Sequence, residues 1–158
     1  MDRDAEELGR LLTGKRAMLA VAESCTGGLL AKRITDIAGA SGWLERGLVV
    51  YSNRAKQELL GVSPDLLAQF GAVSRECAEA LARGLIVMTP ADWGVAITGI
   101  AGPGGGSPEK PVGLVWLAFE PRGGKAESQV LQLSGSREQV RTAAADAALR
   151  GLLERLRG

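Results

Sequence analysis

Apolar positions alternate between two periods along this chain, and the switch between them sets out its elements. Residues 4–14 carry Leu8, Leu11 and Leu12 on one stripe at helical spacing. Ala17–Ala22 is short and wholly apolar, the signature of a buried strand. Thr26–Ala38 returns to the helical period, with Leu29, Leu30, Ile34 and Ile37 inward, and Gly39–Gly42 ends it. Arg46–Ser52 reads as a second strand, followed by a short helix Asn53–Leu60 that Gly61 stops. Ser63-Pro64 and Ser74 each open a helix, since a serine at the cap and a proline at the first helical position suit its unpaired N–H groups. Trp93–Thr98 is a third strand. Val112–Glu120 and Glu127–Leu133 form a hairpin around Gly123-Gly124. Ser136 and Gln139 make a capping box for a last helix, 137–156, whose inner stripe is Val140, Ala144, Ala147, Ala148, Leu152 and Leu156.

Helices alternate with strands early and a hairpin follows late. This predicts an α/β fold: a three-layer α/β/α sandwich with a mixed, mostly parallel sheet of about five strands. At 158 residues the chain is read as a single domain, residues 1–158.

Composition narrows the function. A net charge of +1 offers no global field for nucleic acid or a membrane surface, and 4% aromatic residues leave few platforms for base stacking. No apolar run approaches the length of a membrane span and no signal-peptide pattern opens the chain, so the expected location is the cytoplasm. Cys25 and Cys77, the only cysteines, are far apart, and histidine is absent, so no metal site is expected.

The absence of histidine also constrains catalysis. Ser24 stands where the first strand hands over to the second helix, in Ala22-Glu23-Ser24-Cys25-Thr26-Gly27-Gly28. A hydroxyl there lies beside helix-start N–H groups that can steady an oxyanion. A nucleophilic serine needs a base, and without imidazole the leading candidate is lysine. Of five lysines, Lys56 stands out: it lies one turn beyond the strand ending at Tyr51-Ser52, on the sheet edge expected to hold Ser24. Each residue alone has a plainer reading. Ser24 caps a helix near Thr26, Lys56 is solvated, and Tyr51 packs beneath the short helix. The Gly-rich loop Thr98–Gly106 follows a strand and permits close backbone approach to a ligand. It matches neither a Walker loop nor a dinucleotide fingerprint. Arg137 and Arg141, one turn apart, either hold a phosphate or carboxylate at the start of the last helix or are simply exposed.

Taken together, Ala22–Gly28, Tyr51-Ser52-Asn53-Arg54-Ala55-Lys56, Gly71-Ala72-Val73-Ser74, Gly99-Ile100-Ala101-Gly102-Pro103 and Lys110-Pro111-Val112-Gly113 resemble the CinA C-terminal domain and PncC family, from about residue 5 to 156. The resemblance implies the same three-layer fold and hydrolysis of the carboxamide of nicotinamide mononucleotide to nicotinate mononucleotide and ammonia. It implies Ser24 as nucleophile, Lys56 as base and Tyr51 as a supporting residue, with no cofactor. Thr98 matches a site-lining position, and either Arg137 or Arg141 supplies a site arginine. Glu23, Cys25, Thr26, Gly27, Gly99 and Gly102 complete the expected substrate site, with Glu23 facing the pyridinium or holding a helix end. The expected partner is a small nucleotide, and the expected assembly a homodimer. The competing reading is a module that binds a pyridine nucleotide without turning it over, in a regulatory role linked to competence or DNA damage.

Overall fold

A computed structural model describes residues 2–158. Among these residues it holds six α-helices and five strands: α1 Arg3–Lys15, β1 Leu19–Glu23, α2 Leu29–Thr35, β2 Leu44–Val49, α3 Asn53–Leu60, α4 Pro64–Phe70, α5 Arg75–Met88, β3 Trp93–Gly99, β4 Leu114–Pro121, β5 Glu127–Gln132 and α6 Arg137–Arg157. The strands form one sheet in the order β2-β1-β3-β4-β5. β2, β1 and β3 are parallel, while β4 runs antiparallel to both β3 and β5, so it alone opposes the other four. The mixed, mostly parallel sandwich expected from the sequence is the observed fold.

Alternation along the strands builds the two cores. Leu19, Val21, Val95, Ile97, Val115, Leu117 and Phe119 face one way and pack with α1, α2 and α6. Ala20, Ala22, Ala96 and Ala118 face the other way, against the helices α3 to α5. Alanines on that face let α5 approach closely. A Cβ at Gly94 would lie 2.8 Å from the Ala82 carbonyl oxygen, so even an alanine there would push α5 off the sheet.

Several boundaries shift by one to three residues from the expectation, β1 starting at Leu19 and α2 ending at Thr35 among them, and three of the shifts bear on the site. The second helix begins at Leu29 rather than Thr26, because Gly27 and Gly28 are left-handed (φ 61° and 103°) and residues 24–28 form a turn instead. β2 ends at Val49 rather than Ser52, because the backbone then bends to aim two carbonyls at a side chain of α3. β4 begins at Leu114 rather than Val112. Gly113 is left-handed and so close to the Leu133 carbonyl that only a hydrogen fits. The Ser136/Gln139 capping box is present, and the inner stripe of α6 is buried except for Ala147, which is half-buried.

The topology gathers loops at one edge. The carboxyl ends of the parallel strands β1, β2 and β3 lie there, and the register places the start of β4 and the end of β5 beside them. α6 follows β5 after a short connection, so its N-terminus starts at the same edge. This is where open α/β sheets hold ligands.

Candidate active site

Ser24 follows directly on β1. Its N–H donates to the Ile97 carbonyl, so the ladder to β3 fixes its backbone. Its hydroxyl does not cap α2. That task falls to Glu23, whose buried carboxylate accepts from the N–H groups of Leu30 (2.8 Å) and Ala31 (2.9 Å). A negative group at the start of a helix is favourable on both hydrogen-bonding and dipole grounds. Of the two settings expected for Glu23, the structure places it at the helix end, leaving Ser24 Oγ free for other work.

Lys56 sits in the second turn of α3, a helix opened by Ser52, whose hydroxyl accepts from the Ala55 N–H. Instead of reaching solvent, the side chain is 1% exposed, among the largest fully buried side chains of the molecule. Its Nζ donates to the carbonyls of Val50 (2.9 Å) and Tyr51 (3.1 Å) and lies 3.3 Å from Ser24 Oγ. Burial holds this amine below its ordinary value of 10.5. A neutral amine has two N–H bonds and one lone pair. The three oxygens suit the three N–H bonds of an ammonium; on losing one proton, the amine could keep both carbonyls and turn its lone pair to the serine hydroxyl.

A cavity of about 270 Å³ opens over this pair, towards the small end for a small-molecule site. Ser24, Cys25 and Lys56 line it at the sheet edge, Tyr51 and Asn53 on one side, and Ala72-Val73 on another. Thr98 to Gly102, with Gly104 and Gly105, form a further wall, and Arg137 stands among them. The Thr98 hydroxyl donates to the Ala72 carbonyl (2.9 Å), tying the loop before α5 to β3. Arg137 donates to the Gly102 carbonyl (2.7 Å) and to the Tyr51 hydroxyl (3.2 Å), joining two walls of the cavity. The Tyr51 phenol is thus turned outward to Arg137, and only its carbonyl meets Lys56.

Thr26, Gly27 and Arg141 do not line the cavity. Arg141 lies one turn beyond Arg137 and donates to the Thr26 carbonyl (3.0 Å). The Gly27 N–H is taken by the Ser24 carbonyl, whereas no backbone carbonyl among the described residues accepts from the N–H groups of Cys25 and Thr26. Cys25 is buried, with its sulfur against Gly99, where a Cβ would stand 3.1 Å away. Burial pushes its thiol up to about 11, far from a thiolate at neutral pH.

Three sets of contributors have no role assigned from the sequence. The Val50 and Tyr51 carbonyls are backbone atoms, which any residue supplies. Ala72-Val73 became visible only as part of the Gly71–Ser74 motif, with no role attached. Asn53 likewise lay inside a motif, beside more conspicuous neighbours.

A buried amine set against a hydroxyl, at the carboxyl edge of an α/β sandwich and walled by a glycine-rich loop, defines an α/β protein with a polar small-molecule pocket. The comparisons give it a family. The model of the CinA C-terminal domain matches residues 2–156, and the chain belongs to that family. It is 52% identical over 139 residues to the nicotinamide-nucleotide amidohydrolase PncC of Enterobacter agglomerans, covering 88% of this chain and 85% of that protein. It is also 52% identical over 135 residues to a CinA-like protein of Akkermansia muciniphila, covering 85% of this chain but 33% of that longer protein. The crystal structure of the competence/damage inducible protein CihA from Agrobacterium tumefaciens superposes with a TM-score of 0.92 at 44% identity, over 100% of this chain and 98% of that one. No helix among the described residues is long and apolar enough to cross a membrane.

Proposed function

We propose that this protein hydrolyses the carboxamide of nicotinamide mononucleotide, with Ser24 as nucleophile and Lys56 as base. The observation that carries the reading is the Lys56 amine, desolvated and held by two carbonyls 3.3 Å from Ser24 Oγ. The similarity to a nicotinamide-nucleotide amidohydrolase over most of both chains supports the substrate.

The chemistry follows from those positions. Lys56 takes the hydroxyl proton as Ser24 Oγ bonds to the amide carbon. The carbonyl oxygen gains the negative charge, and the N–H of Cys25, which lines the cavity, is the donor nearest to hand; that of Gly27 is committed elsewhere. As the C–N bond breaks, the Lys56 ammonium returns its proton to the departing ammonia. Water then adds to the ester carbon as Lys56 accepts its proton, and the bond from that carbon to Ser24 Oγ breaks as Lys56 returns the proton to Oγ, releasing nicotinate mononucleotide. Arg137, at the first position of a 21-residue helix, is the phosphate partner: its own charge and the helix N-terminus act together. The loop of Gly102, Gly104 and Gly105 brings backbone close to the same group. Thr98 keeps its wall in place through Ala72. No step requires a metal or a cofactor.

The test is direct. Purified protein with nicotinamide mononucleotide should release ammonia and nicotinate mononucleotide in equal amounts, and Ser24→Ala should release neither. Binding of the nucleotide without any ammonia would establish the non-catalytic alternative instead.

A further inference from the structure

The two arginines at the start of α6 look alike in sequence but stand in different places. Arg137 borders the cavity. Arg141 is packed behind it, against the turn that carries Ser24. Three observations define that contact. Arg141 Nη2 donates to the Thr26 carbonyl at 3.0 Å. The same atom lies 2.9 Å from the point where a Cβ at Gly27 would sit, so the guanidinium fills space that any other residue would claim. Gly27 is also left-handed (φ 61°), which closes the turn that way. Finally, Arg141 Nε and the hydroxyl of the fully buried Thr26 both lack a partner among the described residues. Buried groups without partners are rare and ask for a reason beyond stability.

We infer that Arg141 is a positioning residue for the nucleophile turn. By gripping the Thr26 carbonyl it fixes the plane of the Thr26–Gly27 peptide, whose Gly27 N–H holds the Ser24 carbonyl, and so closes the turn on which the Ser24 hydroxyl and the Cys25 N–H stand. The guanidinium contributes shape as well as charge. Its flat group fills the space over Gly27, a shape that the single ammonium of a lysine does not reproduce. This rests on Ser24 being the nucleophile. It separates the two arginines by role: Arg137 for binding, Arg141 for turnover.

A fluorophosphonate that phosphonylates activated serines reads the turn without any amide substrate. Ser24 in the native chain should be labelled, and Arg141→Lys and Arg141→Ala should be labelled about 100-fold more slowly, the scale of a misplacement of about 1 Å. With nicotinamide mononucleotide, kcat should fall by a similar factor while KM stays within about twofold. Guanidinium ion added to Arg141→Ala should restore part of the rate. Arg141→Lys, which retains the charge, guards against simple misfolding, and its circular dichroism should match the native chain. Native-rate labelling of Arg141→Lys would overturn the inference, as would a raised KM with kcat unchanged. If Ser24 labels and the label rate depends on Arg141 but the nucleotide is not hydrolysed, the proposed substrate fails and the positioning role stands.

Discussion

Lys56 meets Ser24 across 32 positions of sequence, amine to hydroxyl at 3.3 Å, because α3 begins at the edge where β1 ends. Neither side chain has another evident reason for its setting: Glu23 caps the helix that Ser24 would have capped, and α3 has solvent-facing positions that would suit a lysine better. Lys56→Met keeps the volume and removes the base. The expected result is a loss of kcat of at least about 10³-fold, equal to that of Ser24→Ala. The double variant should be no worse than either single one, because the two residues act as a unit. A circular dichroism spectrum like that of the native chain would show that the loss is chemical. Additive losses in the double variant would argue against a dyad.

The pH dependence follows from the same burial. As the proposed base, Lys56 would act only when uncharged, and burial places its value below 10.5. kcat/KM should therefore rise with pH along an acid limb whose midpoint lies below 10.5, and the limb should vanish from the residual rate of Lys56→Met. Stability carries the matching sign. Between the lowered folded value and the ordinary one, the unfolded chain binds the extra proton, so stability grows as pH rises through that window. Urea titrations of the native chain and Lys56→Met across it should diverge in the native chain's favour. A constant difference would mean that the amine is solvated.

Arg137→Ala tests the phosphate partner. Losing a charge-assisted contact costs about 1.5–3 kcal/mol, so KM for the nucleotide should rise roughly 10- to 100-fold. The corresponding nucleoside, which has no phosphate, should show little change. An equal effect on both would assign Arg137 to holding Gly102 and Tyr51 rather than to the substrate.

The thiols should be inert. Burial raises both Cys25 and Cys77 to about 11. Incubation with iodoacetamide at neutral pH should leave activity intact and both residues unmodified by mass spectrometry, although Cys25 adjoins Ser24. Rapid alkylation of Cys25 with loss of activity would show that the site opens further than this structure does.

Gly84 links packing to catalysis at a distance. A Cβ there would stand 2.3 Å from the Leu60 carbonyl oxygen, at the end of α3, against backbone that cannot rotate away. Gly84→Ala should destabilise the fold by about 1–3 kcal/mol, as overpacking does. It should also lower kcat, since the helix it displaces carries Lys56. Native kcat in a destabilised variant would show that α3 yields without moving the amine.

The fold was legible because its signals are local. Ser63-Pro64, Ser74 and Ser136 open their helices where expected, and the alternation of Val21, Val95 and Ile97 with Ala20, Ala22 and Ala96 separates the two cores. That Ser24 and Lys56 share one edge of the sheet was legible by elimination and motif. Less legible was everything that depends on backbone direction. Consecutive glycines at 27 and 28 postponed a helix start that the apolar pattern placed at Thr26. The carbonyls that orient Lys56 belong to Val50 and Tyr51 without depending on either side chain. Arg137 and Arg141 share one face of one helix, and only the turn beneath them tells their positions apart.

The glycine-rich wall of the cavity is the link between β3 and β4, two antiparallel neighbours already joined through Gly99 and Val115. It crosses no layer, but it is tied to two neighbouring helices: Arg137 of α6 holds its Gly102 carbonyl, and its own Lys110 holds the Phe70 carbonyl of α4. Between those ties a Cβ at Gly104 would meet nothing, so residues added there would reshape the wall of the cavity while Ser24, Lys56 and the strands beneath them keep their places.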